Sequence, residues 1–338
     1  MSAREEPTIV TIAARAGVSI ASVSRVLNGQ PARAATVERV MAAAEQLGYV
    51  PNAVARSLKS RRTNHIAFAM ADIGNPVYLA MVRSIQRVLR AAGYRLVLHS
   101  TDADVEEELE VLRGLGQRYV DGLILCPIRV TPGHLAELER TTVPVVVIGS
   151  VPDGHRVDCV RADSHTGVGL AIRHLHELGR RRIGLVNGPL DTVPGEARDA
   201  GYRAALAEYG LKVSEKLMEI GDFQADGGAD ATARLLARAN VDALLCANDM
   251  MAVGALRTMR ERGIAVPDDI ALIGMDNSEA ATMTWPQLSS VDLGSAERGR
   301  RAAELLIERL SGDRNARPRQ ILVRPNLVVR GSTAGVAG

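Results

Sequence analysis

The chain has 338 residues, 46% of them hydrophobic and 24% charged, with a formal net charge of +2. That is the balance of an ordinary globular protein long enough for two or three domains, and no run approaches the roughly 20 apolar residues of a membrane span. Met1 to Pro7 carries Arg4, Glu5 and Glu6 and no apolar stretch, so a secretory signal is excluded and a cytoplasmic protein is expected.

The charge is uneven. Residues 1 to 62 hold nine Lys or Arg against four acids, net +5, and the remainder holds 32 against 35, net −3. A basic head on a mildly acidic body is the footprint of a nucleic-acid reader joined to something else. Cys126, Cys159 and Cys246 lie too far apart in sequence for a metal or redox pair and read as small buried hydrophobes. No metal, cofactor or catalytic residue is expected.

In chain order, Thr8 to Ser19 reads as a Thr N-cap, two helical turns and a break at Gly17, after which Ser19 caps a second helix. This is a helix-turn-helix. Ile9, Ile12, Ala13, Ala16, Val18, Val23 and Val26 should face a third helix near Ala35 to Leu47. The N-terminal part of the second helix should enter a major groove with Ile20, Ala21 and Arg25 toward base edges. Arg25 can pair bidentately with guanine, while Ile20 and Ala21 suit thymine methyls. Ser19, Ser22, Ser24 and Asn28 are short donors fitted to phosphates.

The head boundary falls at Ser60 to Asn64. From Ile66 onward, β-branched runs alternate with segments of helical period, the pattern of parallel sheets flanked by helices. Strands are predicted at Ile66–Met70, Leu96–Leu98, Leu123–Cys126, Val145–Ile148, Ile183–Val186, Ala243–Cys246 and Ile270–Ile273. Val82, Ile85, Leu89 and Ala92 share one helix face, as do Val168, Ile172, Leu175 and Leu178, with Gly93 and Gly179 ending those helices. Two strand-helix series, from Ile66 and from Ile183, imply two similar α/β subdomains with a ligand cleft between them. The tail, 331–338, reads as flexible, without leucines at heptad spacing.

Thr8-Ile9, Ala16-Gly-Val-Ser19, Val23-Ser-Arg-Val-Leu-Asn28, Gly48-Tyr-Val-Pro-Asn52 and Ala53-Val-Ala-Arg-Ser-Leu-Lys59 resemble the signature of the lactose-repressor (LacI/GalR) family. The resemblance extends over essentially the whole chain. It implies an all-α helix-turn-helix head (1–50), a hinge helix (51–62) and an α/β body resembling the periplasmic binding proteins, 63–330. The body would comprise two doubly wound parallel-sheet subdomains, about 63–161 with 291–320 and about 162–290 with 321–330. The hinge helices of two subunits would pair in the minor groove, with Leu58 as the wedge and Asn52 and Ala55 beside it.

The resemblance carries effector-binding roles to Asn75, Tyr78, Arg198, Phe223, Asn248 and Asp276. It implies a homodimeric repressor of a roughly palindromic operator, controlled by a small molecule. A carboxylate, an arginine and aromatic faces suit a sugar or sugar derivative. Gly149 and Leu293 depart from the sugar-binding pattern, so a phosphorylated sugar, a nucleoside or a nonsugar effector stays open, as does the sign of the response. Thr11 and Arg33 depart from the usual head pattern, Thr11 by weakening a capping box, and predict a less stable head. A sugar-modifying enzyme using Asp276, Asp249 or His165 lacks a nucleophile motif, and a transporter's solute-binding protein would not carry the head.

Overall fold

The computed structural model describes residues 7–49, 62–152, 154–312 and 316–334. The chain divides into two compact units between Thr63 and Asn64.

The first unit contains α1 (Ile9–Ala16), α2 (Ile20–Leu27) and α3 (Ala34–Leu47). Ile12, Val23 and Val40 form its fully buried centre, ringed by Ala13, Ala16, Val26, Ala43 and Ala44. Ile9, expected inside, is instead exposed as the first helical residue, one turn above the core. The capping box is also intact, contrary to expectation. Thr8 Oγ1 accepts from the Thr11 amide, and Thr11 Oγ1 accepts from the Thr8 amide at 2.8 Å, so a hydroxyl does what a carboxylate commonly does. Arg33 caps α3 with no side-chain bond. Gly17 closes α1 at φ +60, and Arg39 of α3 donates to the Ala16 carbonyl from Nε at 2.9 Å and to the Gly17 carbonyl at 2.7 Å. A cation on these last carbonyls ties α3 to the turn of the motif.

The second unit holds two six-stranded sheets. The first contains β1 (His65–Met70), β2 (Arg95–Ser100), β3 (Gly122–Cys126), β4 (Val145–Ile148), β5 (Asp158–Ala162) and β11 (Gln320–Val323), in the order β11-β5-β4-β3-β1-β2, all parallel. The second contains β6 (Ile183–Asn187), β7 (Met218–Ile220), β8 (Ala243–Cys246), β9 (Ala271–Met275), β10 (Ser289–Asp292) and β12 (Asn326–Val328), in the order β12-β10-β9-β8-β6-β7. Its edge strand β12 is antiparallel.

Helices α4 (Pro76–Ala91), α5 (Val105–Gly114), α6 (Pro132–Arg140) and α12 (Ser295–Ser311) belong with the first sheet. Helices α7 (Ser164–Glu177), α8 (Val193–Glu208), α9 (Ala225–Arg238), α10 (Asp249–Glu261), α11 (Ala280–Met283) and α13 (Gly331–Ala334) belong with the second. Both sheets have the doubly wound order in which the chain reverses direction beside the first strand of the series. Ligands bind at the carboxyl ends of such strands.

Several sequence expectations shift. β9 starts at Ala271 and runs to Met275, and the return from first to second sheet falls after Val323, since Gln320–Val323 pairs with β5. The outward crossing falls after Asp292, because Ser289–Asp292 pairs with β9. The buried stripe of α4 is Tyr78, Met81, Ile85 and Leu89, with Ala92 exposed at its C-cap, and that of α7 is Val168, Ala171, Ile172 and Leu175, with Leu178 exposed. Glycines at φ +80 and +82, Gly93 and Gly179, follow these C-caps. At Gly299 any Cβ would press on the Met81 backbone, which lets α12 lie close on α4.

The start of the tail is anchored and not flexible. Ser332 Oγ donates to the Leu272 carbonyl at 2.6 Å and accepts from the Ser289 amide at 2.8 Å. Thr333 Oγ1 lies 2.7 Å from Ser289 Oγ and 3.1 Å from His174 Nε2. Small hydroxylated residues can be buried where each oxygen finds a partner, and composition alone does not reveal the partners.

Candidate functional site

On the head, α2 presents Ile20, Ala21 and Arg25 outward while Val23 and Val26 face the core. Ile20 is 46% exposed. Ser19 caps α2, accepting from the Ser22 amide, and its hydroxyl lies 3.0 Å from Ser22 Oγ. Asn28 ends α2, with Nδ2 donating to the Ser24 carbonyl. These residues therefore first build the helix ends, and their exposed faces remain available to phosphates. Asn52, Ala55 and Leu58 lie outside the described residues.

In the second unit a cavity of about 540 Å³ opens at the carboxyl ends of both sheets. All six residues expected there line it: Asn75, Tyr78, Arg198, Phe223, Asn248 and Asp276. Asn75 follows β1 and caps α4, accepting from the Val77 amide at 3.1 Å. Asn248 follows β8 and caps α10, accepting from the Met251 amide at 2.8 Å and donating to the Phe223 carbonyl at 2.8 Å. The Asn248 side chain is thus largely committed to the fold, while Asn75 commits its Oδ1.

Phe223 (φ +69) and Asp276 (φ +100) are held in the left-handed region, a backbone cost that concentrates at functional positions. A side chain at Gly188 would collide with the Phe223 ring, so the glycine makes room for it. The Arg198 guanidinium lies 5.8 Å from the centre of that ring, within cation–π range. Tyr78 is nearly buried in the core of the first sheet, and burial pushes its hydroxyl pKa well up.

Arg198 Nη2 stands 3.9 Å from Asp276 Oδ1, with both side chains more than nine-tenths buried. Burial lifts the Asp276 carboxyl to about 6 against the opposing pull of Arg198 and Arg298, and burial lowers Arg198. Behind Asp276, Asp249 accepts from Ser278 N, Ser278 Oγ and Ser290 Oγ, and burial with the Asp276 charge raises it to about 7.

Arg298, at the start of α12, was not foreseen and is a lining residue, as are Asp72, Arg161 and Gln224. Gly149 and Leu293, the two departures from the sugar-binding pattern, also line the wall. Two contacts join the two subdomains: Gln224 Nε2 donates to Asp72 Oδ2 at 2.8 Å, and Arg129 pairs with Asp191 at 2.8 Å.

Residues 8–52 match the model of the bacterial regulatory proteins, lacI family, and residues 172–333 match that of the periplasmic binding protein-like domain. The chain is 36% identical over 343 aligned positions to the HTH-type transcriptional regulator CelR of Thermobifida fusca, covering 98% of this chain and 100% of that one. The chain belongs to the LacI family of transcription regulators.

The ribose operon repressor of Escherichia coli K12 is 35% identical over 328 residues, 96% of this chain and 99% of the relative. Among solved structures, the LacI-family chain superposes on the lac repressor dimer bound to operator and the anti-inducer ONPF with a TM-score of 0.88 at 28% identity, covering 97% and 99% of the two chains. It superposes on the CelR–cellobiose complex with a TM-score of 0.74 at 34% identity, covering 96% and 99%. The protein is accordingly a DNA-binding transcription regulator. Among the described residues, no single helix is long and apolar enough to cross a membrane.

Proposed function

We propose that this LacI-family chain works in the cytoplasm as a homodimeric repressor of a roughly palindromic operator, and that a small polar ligand in the cleft sets its operator affinity. The observation that carries this reading is the pairing, in one chain, of an outward-facing α2 with a cavity of about 540 Å³ between two subdomains that Asp72–Gln224 and Arg129–Asp191 join. Arg25, Ile20 and Ala21 would read bases, Ser19, Ser22, Ser24 and Asn28 would position on phosphates, and Asn52, Ala55 and Leu58 would enter the minor groove at the operator centre. Relatives described as a ribose operon repressor and as a regulator in complex with cellobiose support a sugar-type effector.

Ligand binding acts on DNA affinity by favouring one of two relative placements of the walls, and a differential affinity of ~1 to 3 kcal/mol would change operator binding about 5- to 150-fold. The test is fluorescence anisotropy of a duplex from the protein's own upstream region, titrated with and without candidate ligands. Sequence-specific, salt-sensitive binding shifted by one ligand is expected. Binding that no scrambled duplex weakens would sink the reading.

A further inference from the structure

The cleft contains two buried arginines whose hydrogen-bonding capacity is almost unused. Arg198 stands on α8, in the second subdomain, and Arg298 stands on α12, in the first; both residues are more than nine-tenths buried. Each guanidinium offers five N–H donors. Among the described residues, Arg298 Nη2 donates to Ser295 Oγ at 3.1 Å, whereas Nε of Arg298 and Nε of Arg198 are both buried without a partner. Asp276 stays 3.9 Å from Arg198, beyond hydrogen-bond reach.

The other carboxylates around the cavity each already accept at least one hydrogen bond from the protein. Asp249 is held by Ser278 and Ser290, and Asp292 accepts from the Gly294 amide and Asn277 Nδ2. At the mouth, Asp72 accepts from Gln224 and the Gly74 amide, Asp102 from Ser100 Oγ and Asp222 from the Gln224 amide. Gly149 contributes no side chain to the wall, where a Cβ would meet nothing nearer than 3.7 Å.

Buried guanidinium donors left without acceptors are costly, and the group that satisfies them best is an oxyanion taken in bidentate fashion. We propose that the cleft binds an anionic ligand, a polyol carrying one carboxylate or phosphate group, with Arg298 and Arg198 gripping the oxyanion from opposite walls. This rests on the effector-cleft reading above and deepens it. The two like charges repel when the cleft is empty. An oxyanion between them turns that repulsion into a bridge, so wall closure is coupled to the ligand's charge. Asp276 and the Phe223 face are then left for hydroxyls and the ring.

The test is calorimetric titration of the full chain at fixed ionic strength with inorganic phosphate, D-glucose, D-gluconate, D-glucuronate and glucose 6-phosphate. Wild type is compared with Arg298→Met, Arg298→Lys and Asp276→Asn. Saturable phosphate binding is expected, together with at least one anionic sugar binding at least about tenfold tighter than glucose. Arg298→Met should remove that preference, and Arg298→Lys should restore part of it. Gluconate and glucuronate against glucose 6-phosphate distinguish carboxylate from phosphate. Phosphate held by the head would persist in Arg298→Met, so unchanged anion binding in that variant overturns the proposal, as does wild type that binds no anion. Glucose binding tighter than every anion, and lost in Asp276→Asn, removes the anionic ligand while the effector cleft stands. Binding that neither Arg298→Met nor Asp276→Asn moves removes both.

Discussion

Arg198 and Asp276 face one another at 3.9 Å, both largely buried, and no hydrogen bond joins them. Both come from the second subdomain, Arg198 on α8 and Asp276 just past β9. A donor and an acceptor held this close but unjoined leave a position between or beside them that a ligand atom can fill with no pair to break first.

The buried carboxyls make stability depend on pH in a specific sense. The unfolded chain releases these protons near pH 4, while the folded chain keeps that of Asp276 to about 6 and that of Asp249 to about 7. Each therefore removes stability as pH rises from about 4 to its folded value, and no more above it. Asp276→Asn should gain on wild type as pH rises from about 4 to about 6, by on the order of 1 to 3 kcal/mol in denaturant unfolding. A difference independent of pH would show that Asp276 is not held in a desolvated site.

On the head, Arg25→Ala should cost about 5- to 150-fold in affinity for the operator but little for a scrambled duplex, since a bidentate guanine contact is worth ~1 to 3 kcal/mol. Ser19→Ala removes the α2 cap, worth about 1 kcal/mol. Hydrogen exchange of the α2 amides in the full chain should speed up roughly fivefold, and unchanged exchange would deny the cap its role.

The contacts bridging the cleft give a third expectation. Replacing both Arg129 and Gln224 by Ala removes the Asp191 and Asp72 contacts and should weaken ligand binding a few-fold, because the closed state loses population. Tighter binding in the double variant would mean that these contacts hold the walls in an arrangement the ligand must break.

Away from the cleft, His134 Nε2 lies 2.8 Å from Glu108 Oε2, with both side chains essentially buried, and His134 Nδ1 lies 2.9 Å from Thr131 Oγ1. Removing one partner leaves the other's buried hydrogen-bonding group unmet, so Glu108→Ala should cost about 1 to 3 kcal/mol of stability. A double-mutant cycle with His134→Ala should return a coupling of ~0.5 to 3 kcal/mol, and additivity within a few tenths would refute the pair.

The sequence was most informative where one local pattern determines one outcome. The periodicity around Ile12, Val23 and Val26 and the caps Thr8 and Ser19 define the head, and β-branched runs define the central strands. The second-sheet edge strand β12 and the exposed strand β7 carry no such run, because half-exposed edges need no continuous apolar face. The crossings near Asp292 and Val323 depend on pairing between distant segments, which periodicity does not encode. Arg298 did leave a trace. It falls on the buried stripe of α12 with Ala302, Leu305 and Leu306, where a charge is out of place, but the neighbouring Arg300 and Arg301 disguise it as part of a surface run. Asn75 and Asn248 were read for their ligand-facing chemistry, and their amide oxygens also cap helices, a use that appears only once the helix starts are known.

The most direct measurement is operator affinity of the full chain by anisotropy, at two salt concentrations, for wild type and Asp276→Asn, with each ligand of the calorimetric panel. The account predicts equal basal affinity for the two proteins, a steep loss with salt, and a ligand-dependent shift in wild type that is absent in Asp276→Asn. A shift of the same size in both proteins, or specific binding that is lost outright in Asp276→Asn, would contradict control of the head from this cleft.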